Sequence, residues 1–171
     1  YKRLGHRLNP TYSISKVMWV RDNQPDIWAR TRHICIAKDF INQKLTGVFV
    51  TEPSDASSTN CFDQMNLTWD EEILRVANIP LSYFPKVVAS TSIIGGLTKE
   101  AAAHTGLNVG TPVVAGGGDG PMAALGAGII KPSDGAYACM GSSSWVAVST
   151  DKPLHDSKMR SMTWNHIVPN Q

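Results

Sequence analysis

The sequence has few cysteines, few charged residues and no long apolar run, and each shortage excludes a class of protein. The three cysteines, Cys35, Cys61 and Cys139, are an odd number without CxxC spacing, so we expect neither a disulfide framework nor a zinc site. No apolar stretch approaches the roughly 20 residues of a membrane-spanning helix. The basic start is not followed by the apolar stretch of a signal peptide. We therefore expect free thiols, a cytoplasmic location and no membrane partner.

The sequence also lacks an excess of positive or negative charge. The 16 basic and 14 acidic residues give a net charge of +2 and form no basic stripe, which argues against nucleic acid as a partner. The five histidines show no HxH or HxxxH pairing, so no metal site is expected. What the sequence does have is apolar material: 42% of its 171 residues are hydrophobic, enough for a core in one domain or in parts of two.

The first region, residues 1–110, has a mostly helical pattern. Ser13 has the residue type of an N-cap, and apolar side chains follow it at helical spacing. Residues 28–45 predict one helix or two short ones, ending at Gly47. Residues 68–71 resemble a capping box, and residues 98–106 predict a short helix with a glycine stop.

The composition changes at residue 111. Residues 112–115 predict a short buried strand that runs into Gly116–Gly120, and a helix of small residues follows. Residues 136–140 and 145–149 predict a hairpin, and residues 162–168 a third strand. Since these strands are too few to close a domain, we place a boundary near Gly110 and expect the chain to be a fragment of a longer protein.

Asp119 is the strongest candidate for chemistry. Three glycines before it allow a sharp turn and a close approach of the backbone to a ligand. A carboxylate at a strand end and a helix start is suitably placed to act as a general base toward a hydroxyl. The alternative is that Asp119 only caps the helix that follows, and spacing alone slightly favours that alternative.

The turn Gly141–Ser144 is a second candidate. Its backbone N–H groups and hydroxyls could receive phosphate oxygens, although a tight hairpin turn alone would look the same. It is not a Walker A loop, because no Gly-Lys-Ser/Thr follows, and Pro121 prevents Gly116–Gly120 from completing a Rossmann fingerprint. A serine hydrolase would need GxSxG, which is absent here.

Taken together, five stretches in order resemble the motifs of the FGGY carbohydrate kinases, the family of glycerol, xylulose and ribulose kinases. They are residues 16–23 (K-x-x-W-x-x-x-N), 39–47 (D-x-I-x-x-x-L-T-G), 51–57 (T-E-P-S-D-A-S), 69–85 (from W-D-E-E-I-L to F-P) and 111–119 (T-P-V-V-A-G-G-G-D). They cover nearly the whole chain, and their shared order is far more specific than any one of them.

The resemblance implies an α/β, actin-like fold with a ribonuclease H-type sheet in each of two domains, incomplete in this chain. Residues 1–110 would be the later part of the N-terminal domain, and residues 111–171 the beginning of the C-terminal domain. It implies ATP and Mg²⁺ as cofactors, Asp119 as catalytic base, Asp119 and Gly120 as residues that bind the sugar substrate, and Gly141, Ser142 and Ser143 as a phosphate-binding element. Assembly as a homodimer is left open.

The sequence also departs from the family pattern. Gly120 stands where xylulose kinases often have Asn and glycerol kinases Gln, which places the identity of the sugar in doubt; a ketopentose such as xylulose is the prediction. The Asp-x-Gly-Thr phosphate motif and the adenosine motif of the family are absent from these 171 residues, so the chain alone is expected to be inactive. The alternative function is a non-catalytic sugar-binding or regulatory module of the same fold.

Overall fold

The computed structural model describes residues 1–169 as short helices and two-stranded sheets. The α-helices are α1 (Ser13–Asn23), α2 (Pro25–Arg30), α3 (Ala37–Thr46), α4 (Pro53–Ala56), α5 (Glu71–Val76), α6 (Lys99–Thr105) and α7 (Asp119–Gly126). Single 3₁₀ turns lie at Ser57–Thr59, Leu81–Tyr83 and Pro132–Asp134.

Eight short strands alternate with these helices. They are β1 (Val50–Thr51), β2 (Phe62–Asp63), β3 (Thr68–Trp69), β4 (Lys86–Val87), β5 (Ile93–Gly96), β6 (Pro112–Val114), β7 (Ala136–Met140) and β8 (Ser144–Val148). β1 pairs with β4 in parallel, whereas β2–β3, β5–β6 and β7–β8 are antiparallel pairs. The region 1–110 is thus less helical than predicted, because four of its strands have only two residues and leave no readable period.

Local capping signals fix several of the helix ends. α3 stops at Gly47, whose φ of 78° places it in the left-handed region, as predicted. Thr98 caps α6 by accepting a hydrogen bond from the N–H of Ala101, and Gly106 ends that helix in the left-handed region. Asp70 caps α5. The prediction for Ser13 was wrong: Tyr12 occupies the N-cap without a side-chain hydrogen bond, and Ser13 is already helical.

One apolar cluster joins α1 to the short elements between residues 56 and 79. Its buried members are Ile14, Ala56, Cys61, Phe62, Trp69, Leu74, Ala77 and Ile79. Phe62 and Trp69 face each other across the β2–β3 pair at a centroid distance of 5.6 Å. This cluster supports the turn Glu52–Ala56, which carries the polar residues described below.

Past residue 110 the predictions succeeded for the hairpin and failed elsewhere. β7 and β8 form the predicted hairpin. β6 is not buried as predicted, since only Val113 at its centre is half-buried. Residues 162–168 form no strand. Their hydrogen bonds go instead to separate groups such as the Gly5 carbonyl and the Gln64 side chain, so no ladder can form.

Residues on the two sides of Gly110 pack together. β5, before it, pairs with β6, after it, and the Ala115 carbonyl accepts a hydrogen bond from the Asn42 side chain at 2.9 Å. The division of domains near Gly110 stays a prediction.

Candidate active site

Asp119 lies at the junction between a loop of three glycines and α7. It is the first residue of that helix, and its carboxylate is exposed. One carboxylate oxygen, Oδ1, accepts a hydrogen bond from the N–H of Gly120 at 2.8 Å. Gly118 is the N-cap residue of α7, and the Asp119 carboxylate satisfies a first-turn N–H of the same helix, so a capping contribution of Asp119 stands beside its predicted role as a base. The helix N-terminus stabilises a negative charge at this position.

The glycine loop Gly116–Gly118 is held by its backbone. The Gly116 N–H donates to the Ser90 carbonyl at 3.0 Å, and the Gly118 N–H donates to Oγ of Ser54 at 2.9 Å. Gly116 has a φ of +76°, which favours glycine. Because the loop has no side chains, these hydrogen bonds are its main fixed points on the preceding elements.

Glu52 organises the partners of this loop. Its side chain is fully buried, and it accepts hydrogen bonds from the Ser54 N–H (2.9 Å), the Asp55 N–H (2.9 Å), Oγ of Ser54 (3.0 Å) and Oγ of Ser90 (2.6 Å). Buried carboxylates are stable when they are satisfied in this way. Ser54 and Ser90 are the residues that hold the two ends of the glycine loop, and Glu52 binds both.

Lys38 brings positive charge to the same place. Its Nζ atom lies 2.8 Å from Oδ1 of Asp39, 3.7 Å from Oε1 of Glu52 and 3.9 Å from Oδ2 of Asp55. One ammonium group therefore faces three carboxylates. We call Lys38, Asp39, Glu52 and Asp55 the Lys38 cluster.

The pKa values of two members reflect this crowding. Burial raises the pKa of Asp55 to about 6; Lys38 opposes the shift, and the carboxylates of Asp39, Glu52 and Asp119 add to it. Burial also raises the pKa of Asp39, again against the effect of Lys38. The contribution of Asp119 to the pKa of Asp55 indicates that the Lys38 cluster and the exposed carboxylate share one electrostatic environment.

The predicted phosphate-binding residues lie elsewhere, in the β7–β8 turn. Gly141, Ser142 and Ser143 are all exposed, and the Gly141 N–H donates to the Ser143 carbonyl at 3.2 Å. Within residues 1–169, no hydrogen bond joins this turn to Asp119 or Gly120.

Sequence reasoning named exposed groups and did not name the buried polar groups beside them. Asp119 and Gly120 were predicted from the sequence, and their roles stay predictions. Glu52 and Ser54 lie within the motif at residues 51–57, and Lys38 lies directly before the motif at residues 39–47, but no role was predicted for any of them.

Residues 1–169 were searched for groups of metal ligands and for membrane-spanning helices. In the range 1–169, no group of three or more His, Cys, Asp and Glu side chains has an arrangement that could hold a metal. None of the helices described there is both long and apolar enough to cross a membrane.

Comparisons with known proteins agree with the fold and the motifs. The N-terminal domain of the FGGY family of carbohydrate kinases matches residues 1–126. Among curated relatives, a xylulose kinase from Lactococcus lactis is 35% identical over 98% of this chain and 34% of its own length. A gluconokinase from Bacillus licheniformis is 33% identical over 98% of this chain and 33% of its own length.

A solved structure gives the same result. The xylulose kinase from Rhodospirillum rubrum superposes with a TM-score of 0.90 at 28% identity, over 99% of this chain and 34% of that one. The chain thus spans about a third of the length of the relatives it matches. The predicted α/β, actin-like sugar kinase fold is confirmed. The chain belongs to the FGGY family of carbohydrate kinases.

Proposed function

We propose that this chain forms part of an ATP-dependent sugar kinase in which Asp119 is the general base. The observation that carries the proposal is the exposed Asp119 carboxylate at the start of α7, directly after the glycine loop Gly116–Gly118. Membership of a family of carbohydrate kinases supports the reaction class. In the experiments below, the full-length enzyme is a protein that contains this chain together with the Asp-x-Gly-Thr phosphate motif and the adenosine motif of the family.

Phosphoryl transfer asks little covalent chemistry of the protein. A sugar hydroxyl oxygen forms a bond to the γ-phosphorus, the bond from that phosphorus to the β,γ-bridging oxygen breaks, and ADP leaves. The hydroxyl proton passes to the Asp119 carboxylate, whose free oxygen faces solvent on the exposed side of α7. A positioned base of this kind contributes about 10²–10⁴-fold to the rate.

The β7–β8 turn supplies groups for phosphate. The exposed hydroxyls of Ser142 and Ser143 can donate to phosphate oxygens, and the Gly141 N–H can do so once it leaves the Ser143 carbonyl. Mg²⁺ would come with ATP and neutralise its charge. We assign no residue of the Lys38 cluster to the metal, because its ammonium group already serves those carboxylates.

The test of the base is Asp119→Asn in the full-length enzyme, with Asp151→Asn, an exposed aspartate beyond β8, as the control. We expect kcat to fall by about 10²-fold or more while the control keeps its activity. If Asp119→Asn keeps more than about a tenth of the wild-type kcat, Asp119 is not the base. A wild-type enzyme that binds sugar but transfers no phosphate would instead be the non-catalytic module.

For the substrate we propose a ketopentose such as xylulose. Support comes from the relatives named as xylulose kinases, although a gluconokinase is almost equally similar. Gly120 is half-buried beside the base, and a Cβ built on it would meet no atom within 4 Å. The position could therefore hold the asparagine that many xylulose kinases have there.

The open space beside Gly120 allows a direct test of the substrate proposal. A panel of xylulose, ribulose, gluconate and glycerol is compared by kcat/KM for the wild type and for Gly120→Asn. One new hydrogen bond to the sugar is worth about 0.5–1.5 kcal/mol, so we expect Gly120→Asn to raise kcat/KM for xylulose about two- to tenfold. A wild-type preference of more than about tenfold for gluconate or glycerol would contradict the ketopentose proposal but not the kinase.

A further inference from the structure

Ser54 connects the loop that carries Asp119 to the buried carboxylate of Glu52. Its Oγ atom accepts the Gly118 N–H at 2.9 Å and donates to Oε1 of Glu52 at 3.0 Å. Ser54 is only 1% exposed, and Gly118 is buried as well. The hydroxyl is thus a single link between two buried groups.

The direction of these hydrogen bonds is set by chemistry. A carboxylate can only accept, so the Ser54 proton must point toward Glu52, and the Ser54 lone pairs are then free for the Gly118 N–H. Glu52 is in turn held by the Ser54 and Asp55 N–H groups and by Ser90. The Ser54 hydroxyl therefore has one orientation, and that orientation fits the loop.

Gly118 is the residue immediately before Asp119 and the N-cap of α7. Its φ and ψ, −63° and 150°, set the direction in which the helix and the Asp119 carboxylate leave the loop. Of the N–H groups in the loop Gly116–Gly118, the one nearest to Asp119 is held by the Ser54 side chain. Loss of this hydrogen bond would leave the buried Gly118 N–H without a partner, and the loop would then adopt other backbone conformations.

We propose that Ser54, oriented by Glu52, is a positioning residue that holds Asp119 in the geometry for proton transfer. The inference rests on the proposed function, since it concerns the same base. Ser54 need not touch substrate or nucleotide. A misplacement of about 1 Å at the reacting groups is enough to cost roughly a hundredfold in rate, which is why one buried hydroxyl can matter for turnover.

The test is Ser54→Ala in the full-length enzyme, with Ser58→Ala as the matched control. Ser58 lies four residues further on and donates to the Asp55 carbonyl at 2.6 Å, in its own turn. We expect Ser54→Ala to lower kcat about ten- to a hundredfold, with the KM for sugar within about twofold of wild type, since the step affected is proton transfer rather than binding. Ser58→Ala should leave kcat unchanged.

A structural role would give a different pattern. If kcat of Ser54→Ala equals that of Ser58→Ala, or if kcat falls only together with a rise in KM and a Tm more than about 4 °C below the control, the positioning role is wrong. Should Ser54→Ala fail to fold, Ser54→Cys replaces the hydroxyl with a thiol of similar shape, whose sulfur is only a weak acceptor for the Gly118 N–H. The same criteria then decide.

The outcomes also separate this inference from the proposed function. An inactive Asp119→Asn enzyme with a fully active Ser54→Ala enzyme overturns the positioning role alone. An active Asp119→Asn enzyme overturns both.

Discussion

Ile167 packs directly on Gly117, in the middle of the loop that precedes Asp119. A Cβ built on Gly117 would overlap the Cδ1 atom of Ile167 and come within 3.0 Å of Oγ of Ser54. Ile167 is itself 6% exposed. The glycine loop is therefore enclosed between the turn at Glu52–Ala56 on one side and the irregular segment 162–168 on the other.

This enclosure predicts that alanine substitutions at two neighbouring glycines have different effects on the free energy of unfolding. Gly117→Ala must displace Ile167 and press on Ser54, so we expect it to destabilise the protein by about 1–3 kcal/mol. Gly118→Ala is the matched control, because its Cβ would meet the nearest atom, Cα of Asp55, at 3.4 Å and its φ is negative. Urea unfolding of both variants measures the difference. Equal free energies of unfolding would show that the enclosure is not tight.

The Lys38 cluster predicts a large effect of removing one charge. Lys38→Met leaves the buried carboxylates of Asp39 and Glu52 without their ammonium partner, and we expect a loss of about 3–5 kcal/mol at neutral pH. Lys44→Met, on the exposed side of the same helix, is the control and should change stability by less than about 0.5 kcal/mol.

The loss for Lys38→Met should shrink in acid. The pKa of Asp55 is raised to about 6, so Asp55 is protonated by pH 5 and no longer needs the ammonium group. Denaturation at pH 7.5 and at pH 5 tests this. A loss that stays the same at both pH values would mean that the charge of Asp55 does not contribute to it.

The buried ring of His6 predicts that the folded protein loses stability as the pH falls. Its ring is buried, with Nδ1 3.1 Å from the Tyr12 hydroxyl and with Trp164 packed edge-on at a centroid distance of 4.9 Å. Burial lowers the pKa of His6 from 6.5 to about 4. Since the unfolded chain binds the proton more readily, the stability that His6 contributes is fully present above pH 6.5 and is lost as the pH falls to 4.

The measurement is the free energy of unfolding between pH 7 and pH 4 for the wild type and for His6→Gln. We expect the wild type to lose up to about 3 kcal/mol more than the variant over this range, from a shift worth about 1.4 kcal/mol per pH unit. His104→Gln, on the exposed surface of α6, is the control and should follow the wild type. Parallel curves for wild type and His6→Gln would contradict a buried neutral imidazole.

The sequence by itself determined the features that depend on neighbouring residues. The glycine stops at Gly47 and Gly106 were predicted because the end of a helix depends on the backbone conformation of one residue. The strand and glycines directly before Asp119 made it a candidate, and its role as the general base stays a prediction. The resemblance of ordered motifs added the family, which the comparisons confirmed.

Tertiary structure alone decided what supports that carboxylate. Ser54 and Gly118 are 64 residues apart, and Lys38 and Ala115 are 77 apart, so no local pattern connects them. The segment 162–168 was predicted as a strand because its residue types suit one, yet its hydrogen bonds go to isolated groups on the first region, such as the Gly5 carbonyl. Propensity describes what a segment can form, whereas burial and the supply of partners, set by the whole fold, decide what it does form.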